Sequence, residues 1–216
     1  MINAVAFDMD GLMFDTEDVY WKAASELLGR RGFDYTSELN AAVMGRPPQF
    51  CFELFKNTFS LPESWQELQK ESEDLFLELL GEGYSVMPGL FELLDVLEEK
   101  RIPKAICTSS ALRVVTEVLR RDNLAKRFQF ILTADDISHG KPDPEVYLKA
   151  AGKFGVAPDH MLVLEDSVAG CHAAATAGAF TVVVLAGHNA DGDFAPADLI
   201  VSALNAPEVL QRLNCT

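Results

Sequence analysis

Met1-Ile2-Asn3-Ala4-Val5-Ala6-Phe7-Asp8-Met9-Asp10-Gly11 opens the chain and decides how the rest is read. Residues 2–7 form a short apolar run with β-branched and aromatic members, closed by an acidic turn, which is the pattern of a buried strand. A strand apolar on both faces belongs in a parallel sheet covered by helices. This one ends on two aspartates flanking Met9, followed by Gly11, which permits a tight turn. Ligands of open α/β sheets bind at the carboxyl ends of the strands, so Asp8 and Asp10 stand where chemistry is expected.

Similar apolar runs recur at residues 102–107, 128–132, 161–164 and 180–185, with a weaker one at 199–201. Helical patterns separate them. Leu90, Leu93, Leu94 and Leu97 make a stripe opened by Pro88-Gly89, and Leu112, Val115, Val118 and Leu119 make another. Residues 146–154 follow Pro142 and Pro144, and residues 168–177 end at Gly178, a C-terminal cap. Alternation of this kind predicts an α/β fold, a Rossmann-like doubly wound parallel sheet with helices on both faces.

Residues 16–82 break the rhythm, because they carry helical signals and no strand signal. Tyr20, Ala23, Ala24, Leu27 and Leu28 share a face; Phe50, Leu54 and Phe55 mark a second helix; Leu68, Ser72, Leu75, Phe76 and Leu79 mark a third. A crossover needs about one helix. The stretch therefore reads as an inserted all-helical domain, residues 15–82, in a core domain of residues 1–14 and 83–216. Its joints fall near Phe14-Asp15 and Gly81-Glu82-Gly83-Tyr84.

The formal net charge is −15, from 33 acidic and 18 basic residues, so neither nucleic acid nor an anionic membrane is an expected partner. No run approaches the roughly 18 apolar residues of a membrane span. A short strand stands where an export signal would, and the four cysteines (Cys51, Cys107, Cys171, Cys215) form no C-x-x-C pair; both features point to the cytoplasm. The four histidines (His139, His160, His172, His188) lack metal-ligand spacing. Nothing in the sequence specifies an oligomeric state, and a monomer is compatible with it.

The residues just past the predicted strands define a constellation. Asp8 and Asp10 stand beyond the first, Thr108-Ser109-Ser110 beyond the second and Glu165-Asp166 beyond the fourth, while Lys141 lies in the loop after the third. Acidic pairs and hydroxyl clusters at strand ends often only cap the next helix. Here their order and placement suit one phosphate site. Four carboxylates together need a compensating proton or cation, and oxygen-only ligands suit Mg²⁺. In that arrangement Asp8 would be the nucleophile on phosphorus and Asp10 the proton donor and acceptor. Thr108 and the backbone N–H groups near Ser109 would bind phosphate oxygens, with Ser110 beside them, and Lys141 would balance charge. Asp8, the Asp10 carbonyl, Glu165 and Asp166 would hold the metal.

On these residues the chain resembles the haloacid-dehalogenase-like superfamily. Asp8-Met9-Asp10-Gly11-Leu12-Met13-Phe14-Asp15-Thr16 matches the first motif, Thr108 the second, Lys141 within Gly140-Lys141-Pro142-Asp143-Pro144 the third, and Glu165-Asp166-Ser167 the fourth. The helical insertion resembles the C1 cap, and the chain is most similar to the β-phosphoglucomutase-like group. The resemblance implies a mobile cap, obligate Mg²⁺ and an aspartyl-phosphate at Asp8. Dehalogenases usually lack the counterpart of Asp10, so its presence implies phosphoryl transfer from an oxygen ester. Tyr20 stands where β-phosphoglucomutases carry a histidine, and Arg46, a candidate phosphate ligand, lies two positions before their cap arginine. The expectation is therefore a phosphatase of small phosphorylated metabolites, such as sugar phosphates. A β-phosphoglucomutase-type phosphomutase is the alternative, and a non-catalytic phospho-receiver or binding module is the third reading.

Overall fold

The computed structural model describes residues 1–81, 83–187 and 189–213. Glu82 at the expected second joint lies outside these residues, as do His188 and residues 214–216, Cys215 among them. In chain order, β1 (Ala4–Phe7) is followed by β2 (Phe14–Asp15), α1 (Glu17–Gly29), α2 (Ser37–Val43), α3 (Pro48–Phe59), α4 (Trp65–Leu80) and β3 (Ser85–Val86). Then come α5 (Leu90–Glu99), β4 (Lys104–Cys107), α6 (Leu112–Arg120), β5 (Phe130–Leu132), α7 (Glu145–Phe154) and β6 (Met161–Glu165). The chain continues through α8 (Val168–Ala177), β7 (Phe180–Val184), β8 (Leu199–Val201) and α9 (Pro207–Arg212).

All six strands expected from the sequence are present, several starting a residue or two later than the apolar run. They form one sheet in the order β5-β4-β1-β6-β7-β8, with every neighbouring pair parallel. Side chains alternate across it. Val5 and Phe7 of β1 point into a core shared with α5 and α6, while Ala4 and Ala6 face the other side, against α7 and α8. Alanines dominate that second cluster, where Ala4 and Ala6 of β1 join Ala150 and Ala151 of α7 and Ala173 and Ala174 of α8. Small side chains let the helix lie close to the strands, and α8 stops at Gly178, whose φ of +82° suits a residue without a Cβ.

Helices α1 to α4 all lie between β2 and β3, a two-residue antiparallel pair joining the inserted stretch to the core. Three aspects differ from the sequence expectation. The insertion has four helices, because α2 is capped by the Thr36 hydroxyl yet has no fully buried residue and so leaves no apolar stripe. In α3 the buried face is Phe52 and Phe55, not Phe50, which lies in the first turn beneath the Arg46 guanidinium. Likewise Leu112 of α6 is exposed and Val114 takes its place in the core. None of the described helices is long and apolar enough to cross a membrane.

The Phe50 and Phe52 contrast is measurable. Phe52→Ala should lower unfolding free energy in urea by about 3 kcal/mol, whereas Phe50→Ala should cost under about 1 kcal/mol. Comparable losses would mean that Phe50 belongs to the core.

Candidate active site

The parallel strands aim their carboxyl ends at the helical insertion. Asp8 directly follows β1, and Gly11 turns the chain back with φ +78°, so Asp10 faces the same space. Thr108 follows β4, and Glu165 ends β6 with Asp166 next. Lys141 arrives from the loop between β5 and α7.

These groups meet in a buried cluster. The Lys141 ammonium pairs with Asp8 Oδ1, lies 2.6 Å from Glu165 Oε1 and donates to the Cys107 carbonyl at 3.1 Å. Glu165 is fully buried. Its Oε1 also accepts from the Tyr147 hydroxyl at 2.5 Å, and its Oε2 accepts from the backbone N–H groups of Asp166 and Ser167 and from the Ser167 hydroxyl. Ser167 caps α8 by accepting from Gly170 N–H, so one short turn both starts the helix and fixes Glu165.

Burial pushes the Asp8 carboxyl well above its usual range; Lys141 opposes this, while Glu165, Asp166 and Asp10 add to it. Burial also raises Asp166, with Glu165 the next cause. Burial alone would favour neutral Lys141, but the Asp8 and Glu165 carboxylates outweigh it and hold the ammonium above the ordinary lysine range. One cation among three carboxylates leaves excess negative charge. Carboxylate oxygens of Asp8, Glu165 and Asp166 lie within 4.8 Å of one another, so a single hard cation fits this donor set. Glu165, expected among the ligands, also has both oxygens engaged by protein donors, which aligns it with Lys141 as much as with a cation.

Asp10 is held apart from that trio. Its Oδ1 accepts from Thr16 Oγ1 at 3.0 Å, and its Oδ2 accepts from Ser110 Oγ at 2.7 Å and Thr108 Oγ1 at 3.4 Å. Burial raises the Asp10 pKa, and the Ser110, Thr16 and Thr108 hydrogen bonds oppose the rise. Of the expected phosphate ligands, Thr108 accepts from Ser110 N–H, and Ser109 Oγ reaches the Gly45 carbonyl at 3.3 Å. Ser110, expected beside them, lies there with its hydroxyl donating to Asp10. Arg46 lines the same space; its Nε is buried without a hydrogen-bond partner, and its guanidinium lies 4.1 Å from the Phe50 ring centre.

Above Asp8, Asp10 and Asp166 lies a cavity of about 190 Å³ between insertion and core. Its floor is polar. Its walls mix Tyr35, Phe52, Phe55 and Phe76 with Asn40, Gln69 and Glu73. The insertion sits flush on the core. A Cβ at Gly45 would lie 2.6 Å from Ser167 Oγ, and one at Gly140 would run into Pro47.

Tyr147 holds a position in this cluster that the sequence alone does not assign, and Thr16 and Ser167, quoted there only as motif members, hold roles it does not give them. Tyr147 falls in a helical stripe, and nothing in the pattern says that its hydroxyl ends on Glu165. Thr16 left a signal. It is the N-cap residue of α1, but its hydroxyl makes no cap bond and turns to Asp10 instead.

Comparison with known proteins yields a family and several relatives. The haloacid dehalogenase-like hydrolase family matches residues 5–184. A phosphorylated carbohydrates phosphatase of Thermotoga maritima is 36% identical over 181 residues, covering 82% of each chain. The validoxylamine A 7'-phosphate phosphatase of Streptomyces hygroscopicus subsp. limoneus is 30% identical over 213 residues, covering 94% of this chain and 95% of its own. The crystal structure of β-phosphoglucomutase from Clostridium difficile superposes with a TM-score of 0.83 at 25% identity, over 98% of this chain and 96% of that one.

Gly170 links helix and cluster, since a Cβ there would collide with the Glu165 carboxylate. Gly170→Ala should therefore destabilise the protein by about 2–3 kcal/mol in urea unfolding, more than any helix-propensity gain. A neutral or stabilising effect would show that Glu165 has room to move.

Proposed function

Since the chain belongs to the haloacid dehalogenase-like hydrolase family, we propose that it hydrolyses phosphate monoesters of small metabolites through an aspartyl-phosphate on Asp8. The observation that carries this is the pairing of two differently furnished aspartates at one cavity floor. Asp8 is ion-paired to buried Lys141, as a nucleophile needs, and Asp10 is held by hydroxyls. Two carboxyls in unlike surroundings can take unlike roles.

An Asp8 oxygen attacks phosphorus, and the bond from phosphorus to the ester oxygen breaks. Protonated Asp10 gives its proton to that oxygen, so the alcohol leaves neutral. Burial, which raises the Asp10 pKa, favours the protonated form this step starts from. Asp10 carboxylate then takes a proton from water as the water oxygen attacks phosphorus. The Asp8–phosphorus bond breaks, releasing inorganic phosphate and restoring both aspartates.

Lys141 opposes the burial that raises the Asp8 pKa and offsets charge on the phosphoryl group. Thr108 and the N–H groups near Ser109 bind its oxygens. Arg46, with a buried donor unsatisfied, is the further candidate anion ligand. Asp8, Asp166 and the Asp10 carbonyl, with Glu165 alongside, would hold Mg²⁺. Bound there, the ion supplies the positive charge that lets a phosphate dianion enter an acidic pocket.

Residues 15–82 act as the cap domain over a core of 1–14 and 83–216, and the cavity between them takes the alcohol portion. Its mixed aromatic and amide walls suit a hydroxylated group such as a sugar, and two of the relatives act on phosphorylated carbohydrates and on validoxylamine A 7'-phosphate. The free thiols of Cys51, Cys107 and Cys171 suit the reducing cytoplasm.

Phosphate release from a panel of sugar phosphates should require added Mg²⁺ and should fall by at least about 10³-fold in Asp8→Asn, with the melting temperature largely kept. Full activity in that variant would end the aspartyl-phosphate reading.

A further inference from the structure

The phosphoryl-transfer steps make no use of a short chain of half-buried hydroxyls that crosses from insertion to core. Tyr20 lies on α1, and its ring packs on Phe76 of α4 with centroids 4.3 Å apart. Its hydroxyl is 2.9 Å from Ser110 Oγ, which in turn is 2.7 Å from Asp10 Oδ2. A serine hydroxyl has one hydrogen. With Asp10 ionised, or protonated on Oδ1, that hydrogen points to Oδ2, and the Tyr20 hydroxyl must be the donor to Ser110. The chain then runs one way, each donor polarising the next. Thr16 grips the other Asp10 oxygen from the N-terminus of the same helix.

We propose that Tyr20 is a positioning residue for the proton donor: acting through Ser110, it fixes the Asp10 carboxyl in the orientation from which its proton reaches the leaving oxygen. This rests on the phosphatase reading. The link crosses between elements, because Tyr20 is on α1 and Thr16 caps it, whereas Ser110 and Asp10 belong to the core side. Tyr20 itself need not touch the reacting atoms.

Leaving-group dependence separates this role from a simple wall contact. Phenyl phosphate and p-nitrophenyl phosphate have rings of similar shape, but phenolate is the more basic leaving group and needs the proton more. With Mg²⁺ present, Tyr20→Phe, which keeps the ring on Phe76, should lower kcat/KM for phenyl phosphate about 10-fold and for p-nitrophenyl phosphate under about 3-fold. Ser110→Ala should show the same bias. The double variant should be no worse than Ser110→Ala alone, since one chain is cut twice. Equal losses on the two esters, or additive losses in the double variant, would overturn the assignment. The parent protein and Asp8→Asn, run alongside, keep the two ideas apart. A parent inactive on both esters defeats the phosphatase reading and this one with it, while an active parent with unbiased variants defeats only the role of Tyr20.

Discussion

The buried ammonium of Lys141 is the interaction on which the rest of the site depends. Removing an ammonium from water costs several kcal/mol unless its donors are met. Lys141 has three donors and three acceptors: Asp8, Glu165 and the Cys107 carbonyl. Each acceptor stands at the carboxyl end of a different strand, on β1, β6 and β4, which are neighbours in the sheet. One lysine therefore ties three strand ends at the edge where the carboxylates repel most. Tyr147 and the Ser167 turn then hold Glu165 in place from behind.

A second constraint is the fit between insertion and core. Where the two meet, glycine replaces side chain: Gly45 lies against Ser167, and Gly140 against Pro47. The Ser109 hydroxyl adds a hydrogen bond to the Gly45 carbonyl. Contact of this kind brings the insertion against the core beside the aspartates, where burial strengthens charge interactions.

Much of this is legible in the chain. The six apolar runs foretell the sheet because buried parallel strands tolerate few polar residues, and the acidic and hydroxyl residues just beyond them mark its working edge. The helical insertion shows itself through length, since no single crossover needs so many residues. What escapes is through-space. The periodicity puts Phe50 on the buried face of α3, but a first-turn aromatic can stack on Arg46 as readily as enter a core. Helix α2 escapes because it buries no residue fully. That the Ser110 hydroxyl lies between Asp10 and Tyr20 escapes as well, because they are 100 and 90 residues away in sequence.

The cavity has a further consequence. The groups at its floor come from strand ends of the sheet, while its aromatic and amide walls come largely from the inserted helices. On the proposed function, selection of the bound molecule and rupture of the bond are thus encoded in different stretches of chain. Wall residues such as Gln69 and Asn40 can change without disturbing the pinned strand ends, so one reactive centre is open to adaptation toward many esters. Helix α1 is where that freedom narrows, because it lines the cavity and also grips Asp10.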